Sequence, residues 1–204
     1  IQESQFTTLG QNITAIEVDG TFDDCQRLVK SAFLDEELNR KMRLTSANSI
    51  NVARFLPQAF YYFYAFAQLR SMQPKLSAEE LETVFCVPSG NFGNLTAGLI
   101  AKRMGLPVKR FIAANNRNDI FLQYLKTGIY TPKPSVATIA NAMDVGDPSN
   151  FVRVLDLYGH SHPAITHEIT GLSYTDEDNG DGMRLCLKEN NYLTDPHGAC
   201  GYLA

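Results

Sequence analysis

The sequence has no run of about 20 apolar residues, so it offers no segment long enough to cross a membrane as a helix. It also lacks an excess of basic charge. Its 18 Lys and Arg face 22 Asp and Glu, and a net charge of −4 argues against nucleic acid as a partner. Cysteine is sparse: Cys25, Cys86, Cys186 and Cys200 are scattered, without metal-type pairs, which points to free thiols in a reducing compartment and an expected cytoplasmic location. Internal repeats, low-complexity segments and a signal-peptide pattern are absent. Two nucleotide signatures are also missing. There is no G-x-G-x-x-G, and no Lys-Ser or Lys-Thr follows a glycine loop as in a Walker motif. The sequence begins with Ile rather than Met and stops at Ala204 within a helical pattern, so both ends are expected to continue into something longer.

What remains is an α/β pattern in 204 residues, enough for one generous domain or parts of two. Asn12–Val18 alternates and is β-branched, which predicts a strand. Thr21-Phe-Asp-Asp24 predicts a capping box and a helix to about Phe33. A short strand is expected at Met42–Ser46, then a long helix from about Asn51 to Leu69. Aromatics on several faces of that helix predict packing on more than one side. Pro74 and Ser77 should end it and cap a further short helix. The unbroken apolar run Val84–Val87 reads as a strand of a parallel sheet covered on both faces. A helix over Leu95–Met104, stopped by Gly105, a strand at Val108–Ala113 and a helix over Asp119–Lys126 complete a β-α-β-α unit with an expected right-handed parallel crossover. From about residue 148 the pattern is helical, with helices predicted near 149–157, 163–170, 177–190 and 196–204. Ser161-His-Pro163 and Asp195-Pro196 read as caps followed by a proline in the first turn.

Three polar clusters sit where strands hand over to helices, the usual place for ligands in α/β sheets. The first is the loop Gly90, Asn91, Phe92, Gly93 and Asn94. Its glycines permit unusual φ angles and close approach of a ligand, and its asparagines add amide donors without charge. Main-chain N–H groups at the following helix start suit a phosphate, though a tight turn without a ligand would also account for the glycines. The second cluster is Thr45-Ser-Ala-Asn-Ser-Ile-Asn-Val-Ala-Arg54. Asn48 or Ser49 can cap the helix, and Arg54 is placed to reach the same anion. A capped helix with a surface arginine is the plainer reading. The third, Ala114-Asn-Asn-Arg-Asn-Asp119, offers Asn118 as a helix cap. Two metal-like patterns are weak. His160, His162 and His167 are explained by the cap at Ser161. The acidic run after Thr175 places Lys188 where a calcium loop needs glutamate, so Thr175 and Asp178 read better as a capping box. No metal site is expected, and no Ser-His-Asp or Cys-His set assembles. His197, at a helix start after a proline, suits a core or supporting role better than a catalytic one.

Five segments together resemble the threonine synthase family, in its microbial and fungal branch. They are Gln2-Glu-Ser-Gln-Phe-Thr-Thr-Leu-Gly10, Thr45-Ser-Ala-Asn-Ser-Ile-Asn51, Val87-Pro-Ser-Gly-Asn-Phe-Gly-Asn-Leu-Thr-Ala-Gly-Leu99, Gly105-Leu-Pro-Val-Lys-Arg-Phe-Ile-Ala113 and Asn141-Ala-Met-Asp-Val145. The resemblance spans essentially the whole chain. It implies a three-layer fold-type-II pyridoxal-phosphate architecture, with residues 1–58 part of a small α/β domain and 59–204 part of the large cofactor-binding domain. It further implies conversion of O-phospho-L-homoserine and water to L-threonine and phosphate. By the same resemblance Gly90, Asn91, Phe92, Gly93 and Asn94 cradle the phosphate of pyridoxal 5′-phosphate. Asn48, Ser49 and Arg54 resemble the family's contacts to the phosphate of the substrate. None of the lysines at 30, 41, 75, 102, 109, 126, 133 and 188 stands in a matching motif, so the family's Schiff-base lysine is expected upstream of residue 1 and the chain alone is expected to be inactive. Exposed edges of such a fragment would favour self-association. Another fold-type-II amino-acid lyase or dehydratase, or a non-catalytic binder of a phosphorylated ligand, are the competing readings.

Overall fold

The computed structural model describes residues 11–204, so the Gln2–Gly10 motif lies outside the described residues. The chain divides into two compact units, Ile1–Met42 and Arg43–Ala204. In the first, α1 (Phe22–Leu34) opens with the predicted box: Thr21 Oγ1 accepts from Asp24 N, and Asp24 accepts from Thr21 N at 2.8 Å. That backbone bond, with the Thr21 hydroxyl and Arg27, holds the Asp24 carboxyl at about 2. Helix α2 (Glu36–Lys41) follows directly, capped by Asp35. Asn12–Val18 is not a strand. It is irregular, and Ile16 is 80% exposed. β-branched alternation makes a strand only where a second strand takes up its N–H and C=O groups, and no described segment does so here. Met42–Ser46 is irregular for the same reason.

In the second unit the expected long helix is broken. Pro57, which has no N–H to donate, splits it into α3 (Val52–Phe55), a 3₁₀ turn at Leu56–Gln58, and α4 (Ala59–Met72). Only one face of α4 is packed. Tyr62 is buried, while Phe60, Tyr61 and Tyr64 are exposed, so the expectation of a helix covered on several sides does not hold among the described residues. Ser77 and Glu80 form a reciprocal box, but residues 78–81 close only as turns.

The sheet is parallel, with β1 (Val84–Pro88) paired to β2 (Arg110–Asn115) and β2 to β3 (Ile169–Ser173). Alternate residues of a strand face opposite sides. Phe85, Val87, Phe111 and Ala113 therefore join one cluster with Tyr62 and Leu95, and Cys86 and Ala114 join another with Cys200 and Met143. Helices flank both faces. α4 and α5 (Gly93–Arg103) cover the first, and α10 (Pro196–Leu203) lies against β1 on the second, as three-layer packing requires. All four cysteines are free.

Strand β3 is the one described strand that the sequence pattern misses. Residues 163–170 read as one helix, yet α8 (His162–Glu168) stops and Ile169 pairs with Phe111. At its centre, a Cβ on Gly171 would sit 2.8 Å from Leu125, so the glycine lets α6 (Ile120–Thr127) lie on the strand. The remaining helices, α7 (Phe151–Leu157), α9 (Asp176–Asn190) and α10, fall where predicted, with Ser161, Thr175 and Asp195 as side-chain caps.

Glu168, at the end of α8, accepts from the Tyr158 hydroxyl at 2.8 Å and pairs with Lys102 at 3.1 Å. Burial pushes its carboxyl up, but Tyr158, Lys102 and Arg103 together outweigh burial and hold it below its ordinary 4.5. A carboxylate held low in the folded state contributes stability above its unfolded pKa and loses it as pH falls through the folded one. Glu168→Gln should flatten the acid limb of the stability profile below about pH 4.5, and urea titrations at pH 7 and at pH 4 would show it.

Candidate functional site

Strand β1 delivers the chain to the top of the sheet, and its pairing runs one residue further, with Ser89 N donating to Ala114 O at 2.8 Å. The loop Gly90–Asn94 then turns directly into α5. The unusual backbone is not at a glycine. Phe92 has φ +61°, and its buried ring lies 4.7 Å from that of Phe121. A bulky residue in the left-handed region is strained, and such strain persists where packing holds it and collects at functional sites. The glycines serve close approach of protein rather than of ligand. A Cβ on Gly90 would lie 2.6 Å from Met143 Cα, and one on Gly93 would lie 2.8 Å from Ser49 Cβ.

Each asparagine amide of the loop also donates to the protein itself. Asn91 Nδ2 donates to Ser49 Oγ at 3.1 Å, and its Oδ1 accepts from Ser149 N at 2.6 Å and Ser149 Oγ at 3.0 Å. Asn94 Nδ2 donates to Pro88 O at 2.7 Å. These side chains brace the loop. Main-chain N–H groups are what the loop offers a ligand: at the start of α5 the N-cap residue Phe92 makes no side-chain cap, and within the first turn Asn94 Oδ1 takes Leu95 N at 2.9 Å. Tyr62 braces that start from α4, its hydroxyl donating to Asn94 O at 2.7 Å, and burial pushes its phenol far above the ordinary range. Tyr62→Phe should cost about 1 kcal/mol in thermal or urea unfolding, the usual worth of one such bond.

The loop faces a cavity of about 440 Å³ that also takes in Ala47, Asn48, Ser49, Arg54, Gln58, Pro88, Ala142, Met143 and His197. All eight residues singled out from the sequence, three at 48–54 and five at 90–94, therefore line one cavity. Arg54 contributes positive charge, and no carboxylate is among the lining residues. Arg54 Nε donates to Ala47 O at 3.0 Å, which fixes the side chain. Neither Asn48 nor Ser49 caps α3. Asn51 does, accepting from Ala53 N at 3.0 Å. Asn118 is not a cap either. It is buried, and its Nδ2 donates to Asn116 Oδ1, Val136 O and Asp144 Oδ1.

Ser149, Asn150 and Arg153, which brace the site, are not distinguished in the sequence, whereas His197, read there as a core or supporting residue, lines the cavity. His197 Nε2 accepts from Ala142 N at 3.0 Å, and its Nδ1 lies 3.3 Å from Asp195 Oδ2. An imidazole that accepts at Nε2 carries its proton on Nδ1, facing that carboxylate. Asp195 is itself held below its ordinary value, first by the Gly198 N–H. Ser149, Asn150 and Arg153 form a wall behind the glycine loop. Asn150 stands at the start of α7, where it would be expected to cap, but its amide turns instead to Ser49 and Asn91.

An uncapped start of an 11-residue helix, a neutral braced loop and a cavity without carboxylates fit a phosphate dianion. Residues 2–204 match the family model described as pyridoxal-phosphate dependent enzyme, and the chain belongs to that family. It is 48% identical over 202 residues to a threonine synthase of Haemophilus influenzae, covering 99% of this chain and 46% of that protein. Among solved structures it is similar to threonine synthase from Escherichia coli, with a TM-score of 0.87 and 48% identity over 99% of this chain and 45% of that one. A pyridoxal-phosphate-bound threonine synthase from Brucella melitensis matches with a TM-score of 0.80 and 34% identity over 98% of this chain and 47% of that one. The fold is that of fold-type-II enzymes of this family, with the parallel sheet flanked by helices. The chain spans less than half the length of the curated relatives it matches. No helix of the described residues is long and apolar enough to cross a membrane.

Proposed function

We propose that this chain is part of a threonine synthase that converts O-phospho-L-homoserine and water to L-threonine and phosphate. The observation that carries the reading is the convergence of positions 48–54 and 90–94 on one cavity lined by arginine and without carboxylates, at an uncapped helix start. In this reading the main-chain N–H groups of Gly90–Asn94 and the start of α5 hold the phosphate of pyridoxal phosphate, with the helix dipole adding up to about 2 kcal/mol. Ser89, Asn91 and Asn94 keep that loop in shape. Across the cavity Arg54, Asn48 and Ser49 receive the phosphate of the substrate, and Arg54 neutralises charge as phosphate leaves. Pyridoxal phosphate, when bound, supplies the electron sink that such chemistry needs. Pro88, Met143 and His197 also line the cavity.

Residues 1–58 are assigned to a small domain and 59–204 to the cofactor-binding domain, with a cytoplasmic location. No lysine is among the cavity-lining residues, so the chain alone is proposed to be inactive. Borohydride treatment of the chain with pyridoxal phosphate should then leave no stoichiometric lysine adduct. The function is tested in the complete gene product by offering O-phospho-L-homoserine and L-serine separately. Release of inorganic phosphate with formation of threonine from the first is the expected result. Deamination of serine with no turnover of the phosphorylated substrate would overturn it.

A further inference from the structure

The Thr45–Asn51 turn is shaped by its own bonds, among them Ser49 N to Asn48 Oδ1 at 2.6 Å and Asn51 Nδ2 to Ser46 O at 3.1 Å. None of these ties it to the glycine loop. The tie comes mainly from α7, about 100 residues along the chain. Arg153 Nη1 donates to Ser49 O at 2.7 Å, and Nη2 donates to Ile50 O at 2.6 Å. A planar fork is suited to two adjacent carbonyls in a way that a lysine ammonium is not. The guanidinium carbon stands 4.8 Å from the centre of the buried Phe55 ring, which fixes the plane of the fork.

Arg153 also donates to Asn150 Oδ1, which sets the orientation of that amide. Asn150 Nδ2 is thereby turned to Ser49 Oγ and Asn91 O, both at 2.9 Å, and bridges the two walls of the cavity. The consequence falls on the Ser49 hydroxyl. It accepts from Asn150 Nδ2 and from Asn91 Nδ2, so both its lone pairs are used. Its remaining capacity is its proton. That proton is directed to Asn48 Oδ1 at a long 3.3 Å, an oxygen that also accepts from Ser49 N. A hydroxyl filled in this way is an oriented donor whose long bond a phosphate oxygen can replace.

We propose that Arg153 and Asn150 are positioning residues that clamp the Ser49–Ile50 turn to the glycine loop and so set how tightly the cavity takes the phosphate of its substrate. The identity of that substrate, a phosphorylated amino acid, rests on the proposed function above; the clamp rests on the geometry alone. The test uses the complete gene product with Arg153→Met, which keeps the bulk, and Arg153→Lys, which keeps the charge.

For Arg153→Met the KM for O-phospho-L-homoserine should rise about 10- to 100-fold, the scale of a misplacement near 1 Å, with kcat changed by less than about threefold. The dissociation constant of pyridoxal phosphate should move by less than about threefold. Backbone amides of residues 46–51 should exchange faster with deuterium while those of β1 and β2 do not. Arg153→Lys should recover part of the loss. An unchanged KM, or a parallel loss of cofactor affinity with faster exchange throughout the sheet, would overturn the proposal and leave Arg153 as support for the fold. If the wild-type protein releases no phosphate from the substrate, the functional reading fails by itself. The clamp is then decided by the exchange data and by binding of inorganic phosphate to the cofactor-loaded protein, which Arg153→Met should weaken about tenfold or more.

Discussion

Asp144→Ala should destabilise the protein by about 3–4 kcal/mol, the largest stability loss expected of any single substitution considered, because it leaves several partly buried donors without an acceptor. The carboxylate accepts from Asn116 Nδ2 at 2.7 Å, Asn118 Nδ2 at 3.1 Å, Thr138 N at 3.0 Å and Thr138 Oγ1 at 2.7 Å. These bonds hold the segment from 136 to 145 over the end of β2. Asn118 reinforces them by accepting from Val136 N at 2.7 Å, and Asn116 by donating to Ala140 O at 3.2 Å. A hydrogen bond to a charged group contributes about 1.5–3 kcal/mol, but bonds within one network do not add, so the sum of the separate values overstates the loss. Asp144→Asn keeps one acceptor oxygen and turns an NH₂ toward donors, so it should fall between wild type and alanine. Urea unfolding of the three proteins measures the series. A loss under about 1 kcal/mol for alanine would show that the network is not what holds the segment.

The second large effect is on cofactor binding. Gly90→Ala should weaken pyridoxal phosphate about 100-fold, corresponding to roughly 3 kcal/mol or the loss of one to two charge-assisted bonds. The added methyl would meet Met143 Cα at 2.6 Å and Ala142 O at 3.1 Å, and both are backbone atoms that cannot rotate aside. Either the loop or the Asn141–Met143 turn must move, and overpacking of this kind itself costs about 1–3 kcal/mol. Because the loop holds only the phosphate end of the cofactor, affinity for pyridoxal, which lacks that phosphate, should change by less than about threefold. Fluorescence titrations with the two ligands separate these outcomes. Equal losses for both would place the damage elsewhere than at the phosphate.

The elements that follow from local chemistry were legible in the sequence. Strands β1 and β2, the turn into α5 and the capped helices α1, α8, α9 and α10 fall within a few residues of their patterns. What escaped has a common cause. An asparagine or serine ahead of a helix looks the same whether it caps that helix or reaches across the fold. Thr21, Asn51, Ser161, Thr175 and Asp195 cap, while Asn48, Ser49, Asn118 and Asn150 do not, and the difference lies in partners far away in sequence. Asn91 and Asn94 also act on the protein itself, one amide donor of each bracing the loop on Ser49 and on Pro88. Strand β3 hid between two helices because its pairing to β2 and its packing under α6 are both tertiary. Pro57 was readable and decisive, since a missing N–H interrupts a helix whatever surrounds it. The position of the site was therefore written locally, at strand ends and glycines, and its inner bracing was not.

The central claim, that the Gly90–Asn94 loop and the start of α5 hold a cofactor phosphate, is tested most directly by a crystal structure of the complete gene product grown with pyridoxal phosphate. The phosphate oxygens should lie within hydrogen-bond distance of main-chain nitrogens of that loop, with Asn91 still bonded to Ser49 and Ser149. A cofactor phosphate bound at other residues, with the loop making no contact to it, would contradict the account.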